Sequence, residues 1–250
     1  MSKKAMGVDI GGTGIKGAVV NTKKGELRSE RLRVETPEGG EPEEIAEAVR
    51  GLLQDLDAPP ERSVGICFPA VVQHGRTMSA ANVSDRWIGL DADTLFSDVL
   101  GRHAHLINDA DAAGEAEVKF GAGKGKKGLI IMTTLGTGIG SAIFYNGKLV
   151  PNSELGHIDI GGVVDFETHA AYSAMEREGL SFAQWAERLQ VFYSTLENLL
   201  VPDLFIVGGG ISKQHEHFLP LLNLKTEIVP AKLRNAAGII GAAALANVNT

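Results

Sequence analysis

The 250-residue sequence predicts an α/β protein of two lobes that repeat one device, and three observations carry that prediction. Short apolar runs of strand length alternate with longer stretches whose apolar residues recur at helical spacing. Three of the short runs end in glycine clusters: DIGGTGIKG at Asp9 to Gly17, TLGTGIGSA at Thr134 to Ala142, and VGGGIS at Val207 to Ser212. The opening order of strand, glycine turn and second strand recurs near the middle of the sequence, without any short-period repeat, which points to an old lobe duplication rather than a solenoid.

From the amino end onward, Ala5 to Ile10 reads as a strand and Ile15 to Val20 as its partner. Lys23, Lys24 and Gly25 offer a turn into a third strand within Glu26 to Val34. From Glu41 to Leu56 the residues Ile45, Val49, Leu52, Leu53 and Leu56 lie on one helical face, and Pro42 suits the first turn. The continuous apolar run VGICFPAVV predicts one buried strand. A helix over Thr94 to Gly101 and a strand over His105 to Asn108 close the first half. The second half opens with strands over Gly128 to Thr134 and Ser141 to Tyr145, the latter running into Asn146–Gly147, a strong hairpin signal. Ser181 starts an amphipathic helix to Leu200, with Phe182, Trp185, Leu189, Phe192, Leu196 and Leu199 expected in the core. LFIVGGGIS is a strand running into glycines, and Asn235 to Ala246 a closing helix of small residues. The expected lobes are residues 1–108 with 236–250, and residues 109–235.

Composition narrows the function. With 24 basic against 31 acidic residues, the formal charge of -7 argues against a nucleic-acid binder. The single cysteine, Cys67, rules out an intramolecular disulfide and a cysteine cage for zinc, and it reads as a small buried hydrophobe in a reducing compartment. No apolar run of signal-peptide length follows the amino end, and AAGIIGAAALA is about half a membrane span, so the expectation is a cytoplasmic protein without a membrane partner.

Glycines at strand ends let backbone N–H groups approach an anion and permit positive φ, as phosphate cradles require. Gly12, Gly14 and Gly17 satisfy G-x-G-x-x-G, but AVV and a hairpin follow where a dinucleotide fingerprint needs a helix, and no P-loop pattern occurs. Three such junctions in one sequence, one preceded by Asp9, point to phosphate chemistry. DIGGT near the start, the central G-T-G loop and the late G-G-G loop together resemble the ROK family of sugar kinases. GVDIGGTGIKG, TLGTGIGSA, SELGH and LFIVGGGISK are similar to its bacterial polyphosphate-dependent glucokinase branch, over nearly the whole sequence and in the same order.

The resemblance implies the actin/hexokinase-like ATPase fold, with ribonuclease H-like duplicated lobes and an interlobe cleft. It also implies transfer of a phosphoryl group from polyphosphate or ATP, with Mg2+, to the 6-hydroxyl of glucose. Such a reaction needs a carboxylate near the hydroxyl. Asp109, in INDADAAG, matches the family's general base, although by position alone it reads more simply as a helix cap. Asn108 matches a sugar-binding Asn, and Glu154 and His157 of SELGH match a sugar-binding pair. Glu167 is expected to be a further sugar contact, with Asp165 its rival. Asn82 is a candidate hydroxyl partner. Trp87 is either a shield over the sugar or a core aromatic.

On the phosphate side, Asp9 is expected to meet Mg2+, directly or through water. Gly11, Gly12, Thr13 and Lys16 would line one wall, and Thr134, Gly136, Thr137 and Gly138 the other. Gly208, Gly209 and Gly210 match the loop that borders adenosine in ATP-using relatives. The cysteine-rich zinc motif that many members carry after the His is missing from this sequence, so no zinc site is expected. Lys119, Lys124, Lys126 and Lys127 are the densest basic stretch and a candidate track for polyphosphate, a solvated loop being the plain alternative. The alternatives are an ATP-dependent hexose kinase that also accepts mannose, and a sugar-sensing regulator; against the regulator, only eight residues precede Asp9. A homodimer is expected from the family.

Overall fold

A computed structural model describes residues 4–56, 62–80 and 83–246. The chain divides into two compact units, Met1–Ala116 with Ala236–Thr250, and Glu117–Asn235.

In the first unit, β1 (Lys4–Gly11) and β2 (Gly14–Asn21) form an antiparallel hairpin in which Gly11 faces Gly14. The expected third strand is split into β3 (Glu26–Leu27) and β4 (Leu32–Val34), both paired with β2. The break has a local cause: the Ser29 hydroxyl accepts the Val19 amide at 3.0 Å, substituting for a main-chain carbonyl in the ladder. Pro42 opens α1 (Pro42–Asp55), which buries Ile45, Ala46, Val49, Leu52 and Leu53. β5 (Val64–Phe68) is buried throughout and stops before Pro69, which has no N–H to donate. The expected single strand therefore ends early, and Val72 belongs to a small hairpin of β6 (Val72–Gln73) and β7 (Arg76–Thr77). After α2 (Ala92–Leu100) come β8 (Ala104–Asn108) and α3 (Asp109–Phe120), whose last turn lies in the second unit. The sheet order is β3-β2-β1-β5-β8, with β1, β5 and β8 parallel.

The second unit repeats the plan. β9 (Leu129–Leu135), β10 (Ile139–Tyr145) and β11 (Lys148–Val150) form a meander, and β12 (Leu204–Gly208) and β13 (Glu227–Pro230) add in parallel beyond β9. The order β11-β10-β9-β12-β13 matches that of the first sheet, so the α/β fold with a repeated device is present as expected. Asn146 (φ 50°) and Gly147 (φ 77°) make the tight hairpin turn.

Three helices complete the unit: α4 (Glu167–Ala170), α5 (Tyr172–Glu178) and α6 (Phe182–Leu200). Ser181 and Gln184 form a capping box on α6, which buries Trp185, Leu189, Phe192, Tyr193 and Leu196. Phe182 is packed at the margin of this core, whereas Leu199, expected in it, is 64% exposed because the helix has passed the core by its last turn.

The closing helix α7 (Ala237–Ala246) returns to the first unit and lies on β1 and β5, backbone against backbone. A Cβ at Gly7 would run into the Ile239 carbonyl, and one at Gly65 into that of Ala242. This close approach, rather than a turn, is what those two glycines provide. Among the described residues no helix is long and apolar enough to cross a membrane.

Candidate active site

The structure gathers the expected residues into two groups, one in each unit. In the first unit, strand register sets Lys16, Asp9 and Cys67 side by side across β2, β1 and β5, and Phe68 opposite Asn108 at the end of β8. Lys16 Nζ lies 3.7 Å from Asp9 Oδ2, and the Cys67 thiol donates to Asp9 Oδ1 at 3.4 Å. The first turn of α7 ends beside them, where a Cβ on Gly238 would lie 3.0 Å from the Cys67 sulfur and 3.7 Å from Asp9 Cγ. The start of α7 thus lies against the Asp9 carboxylate.

Gly12 and Thr13 form the exposed tip of the β1–β2 hairpin. The tip is pinned by Arg33, which donates to the Thr13 carbonyl at 2.9 Å, and by the Thr36 hydroxyl, which donates to the Gly11 carbonyl at 2.5 Å. None of Gly11, Gly12, Gly14 and Gly17 has positive φ, contrary to expectation, because an ordinary turn closes the hairpin. Their smallness matters instead: a Cβ on Gly14 would press on the Arg33 guanidinium 2.7 Å away.

At the start of α3 the capping role falls to Asn108 and not to Asp109. Asn108 Oδ1 accepts the amides of Ala110 (2.8 Å) and Asp111 (3.0 Å), and its Nδ2 donates to the Ala70 carbonyl at 3.1 Å. Asp109, with Oδ1 2.8 Å from the Ala110 amide, is exposed at the first helical position. Its charge reaches Cys67: burial first, then Asp9 and Asp109, pushes the thiol pKa well up, so the sulfur stays protonated. Cys67 is thus buried, as read, but it also holds Asp9, which no spacing in the sequence reveals.

In the second unit, the loop Gly136–Gly138 joins β9 to β10, and Thr134 pairs with Gly208 across β9 and β12. Gly209 has φ 83° and abuts the Leu135 carbonyl, so here a glycine is required both by conformation and by space. Gly210 begins a 3-10 helix.

The Gly136–Gly138 loop is held from below. Glu167 Oε2 accepts the Ile139 amide at 2.7 Å and fills the space under Gly138, where a Cβ would meet it at 2.5 Å. Ser173 binds the Gly136 and Thr137 carbonyls. Glu167, expected on the sugar, therefore has one oxygen committed to this loop.

Glu154 precedes, and His157 ends, the one-turn 3-10 helix Leu155–His157. Ser141 Oγ anchors that turn by accepting the Leu155 amide and donating to the Ser153 carbonyl. His157 Nε2 lies 3.9 Å from Glu154 Oε2, and Nδ1 lies 2.8 Å from Asp165 Oδ1. Partial burial raises the Glu154 pKa, against the pull of His157 and with a further push from Glu167. Ligand atoms of His157, Asp165 and Glu167 lie within 4.8 Å of one another. Within the trio, Nδ1 of His157 is bonded to Asp165 and Oε2 of Glu167 to the Ile139 amide.

Asn82 lies outside the described residues. Trp87 is core: fully buried between Phe68 and Phe96, it donates to the Gly40 carbonyl at 2.9 Å. Lys119, Lys126 and Lys127 line a cavity of about 560 Å3 with Asn146 and Gly147, and Lys126 pairs with Glu227 at 2.7 Å. That cavity adjoins the amino end of β9, whereas the glycine loop follows its carboxyl end, about 20 Å away at ~3.3 Å per residue.

Residues 5–173 match the ROK family model. The chain is 41% identical, over 96% of its length and 90% of the relative's, to polyphosphate glucokinase of Mycobacterium tuberculosis. Among solved structures it is similar to the inorganic polyphosphate/ATP-glucomannokinase of Arthrobacter sp. strain KM, at 51% identity and a TM-score of 0.94 over the whole of both chains. It is also similar to a ROK family glucokinase from Streptomyces griseus in complex with glucose and AMPPNP, at 26% identity and a TM-score of 0.83, covering 98% of this chain and 99% of that one. The two matching sheets are those of the actin/hexokinase-like fold that these sugar kinases share. On a family match over residues 5–173 and 41% identity along nearly its whole length, the chain belongs to the ROK family.

Proposed function

We propose that this protein is a polyphosphate-dependent glucokinase that also uses ATP, transferring a phosphoryl group to the 6-hydroxyl of glucose. The observation that carries the reading is the start of α3: Asn108 takes over the helix cap, and Asp109 stands exposed beside the Asp9–Lys16 pair's end of the sheet. The relatives named for polyphosphate and for both donors support the choice of donor, and the glucomannokinase adds mannose as a second acceptor.

In this mechanism Asp109 takes the O6 proton as that oxygen attacks the terminal phosphorus, the P–O bond to the next phosphate breaks, and the shortened donor leaves. Lys16 and the exposed amides of Gly12 and Thr13 bind phosphate oxygens. Asp9 suits Mg2+, an ion that takes one or two carboxylates and completes its shell with water and phosphate: it is a single carboxylate, partly exposed, beside the β1–β2 turn. Bound Mg2+ supplies neutralisation of charge on the transferring group. Glu154 and His157 bind sugar hydroxyls, and Glu167 joins them through the oxygen not given to Ile139. Gly208–Gly210 receive the adenosine of ATP, and the protein works as a cytoplasmic homodimer.

The test is glucose 6-phosphate formation with nucleotide-free polyphosphate and, separately, with ATP. Product from both is expected. Product from ATP alone reduces the reading to an ATP-dependent hexose kinase, and none from either overturns it.

A further inference from the structure

Within the second-unit cluster of Glu154, His157, Asp165 and Glu167, Asp165 is the carboxylate without an assigned sugar contact. We propose that Asp165 is a positioning residue that fixes the ring of His157, so that its Nε2 edge faces a sugar hydroxyl beside Glu154. This rests on the reading of Glu154 and His157 as sugar-binding residues.

The His157 side chain is 55% exposed, so packing alone does not set its ring angle. What sets it is the 2.8 Å bond between Nδ1 and Asp165 Oδ1. Asp165 is itself held by its backbone. It sits at φ 55°, a conformation that Asp tolerates better than most residues. Its N–H donates to Asp159 Oδ1 at 2.8 Å, and its carbonyl accepts both the Thr168 amide (2.9 Å) and the Thr168 hydroxyl (2.8 Å). Three bonds over-determine one residue, and a strained residue persists only where its surroundings enforce it.

The chemical consequence is a fixed tautomer. A carboxylate accepts but cannot donate, so Nδ1 must carry hydrogen, and Nε2 of the neutral ring is left as an acceptor for a hydroxyl proton. When the ring is protonated, Nε2 donates instead, toward Glu154 or a sugar oxygen. The groups facing the ring are Asp165, Glu154 and Glu167; the hydrogen bond that Nδ1 donates to Asp165 chiefly, with all three negative charges, raises the His157 pKa against the partial loss of solvent. The stability from this contact is fully present below the unfolded histidine value of about 6.5 and fades as pH rises through the higher folded value.

The test uses Asp165→Asn, which keeps an acceptor but no charge, and Asp165→Gly, which removes the side chain while suiting the positive φ. Ring C–H resonances of His157, assigned with His157→Gln, are titrated by NMR in the presence of EDTA, and glucose affinity is measured by calorimetry. The expected result is a lower His157 pKa in both variants. Glucose binding should weaken about tenfold in Asp165→Gly, as for other residues that orient a ligating histidine, and less in Asp165→Asn, with the KM for phosphoryl donor unchanged. An unmoved His157 pKa or unchanged glucose affinity in Asp165→Gly overturns the proposal. A wild-type protein that binds no glucose overturns the sugar-site reading itself, so the two failures are told apart.

Discussion

The two glycine turns that begin the two sheets share a place in the topology but are built with opposite charge. The β1–β2 turn is backed by the cations Lys16 and Arg33, whereas the β9–β10 loop is backed by the carboxylate of Glu167. The two sheets share one order over five strands, the first carrying β4 as a sixth, while the side chains beneath the two turns differ. The first turn sets cations beside its exposed tip. The second is furnished to hold a loop in shape beside Glu154 and His157, and this contrast makes predictions.

The largest effect is expected at the start of α3. Asp109→Asn should lower kcat by roughly 10²–10⁴ with either donor while leaving glucose affinity nearly intact, measured by steady-state kinetics and calorimetry. Next, Lys16→Ala should raise the KM for both donors about tenfold, the loss of one charge-assisted contact, whereas no single change at Gly136–Gly138 should act on the donor through charge. Glycine substitutions sharpen the comparison through stability. Gly209→Ala, with positive φ and a carbonyl in the way, should cost about 3 kcal/mol in urea denaturation, and Gly136→Ala, with open space around it, under about 1 kcal/mol.

Glu167→Ala leaves the Ile139 amide without its acceptor and should cost about 1–3 kcal/mol, most of it restored in Glu167→Gln. The smallest effect is expected from neutralising Lys119, Lys124, Lys126 and Lys127 together. Those near the cavity stand at the far end of β9 from the glycine loop, so only long polyphosphate should lose rate, by roughly two- to threefold, with short polymers and ATP unaffected.

Most strands and helices were legible because burial imposes a period, and because local signals such as the Ser181 capping box and the Asn146–Gly147 turn need no distant partner. What escaped depends on contacts far apart in sequence. Pro69 ended a strand that hydrophobicity alone would have continued, and Ser29 broke another by bonding ten residues back. The thiol of Cys67 holding Asp9, and Gly238 admitting a helix end beside them, follow from the parallel register of β1 with β5 and the return of α7. The motif strings located Asn108 and Asp109 but could not tell which of the two caps α3. The resemblance singled out Glu167 as a sugar contact, whereas its bond to the Ile139 amide was not legible.

The most direct test of the whole account is wild-type protein with glucose and nucleotide-free polyphosphate, following glucose 6-phosphate formed against terminal phosphate consumed. One sugar phosphate per phosphate lost, abolished in Asp109→Asn, is the predicted result. No sugar phosphate from polyphosphate, or undiminished formation by Asp109→Asn, would contradict the account.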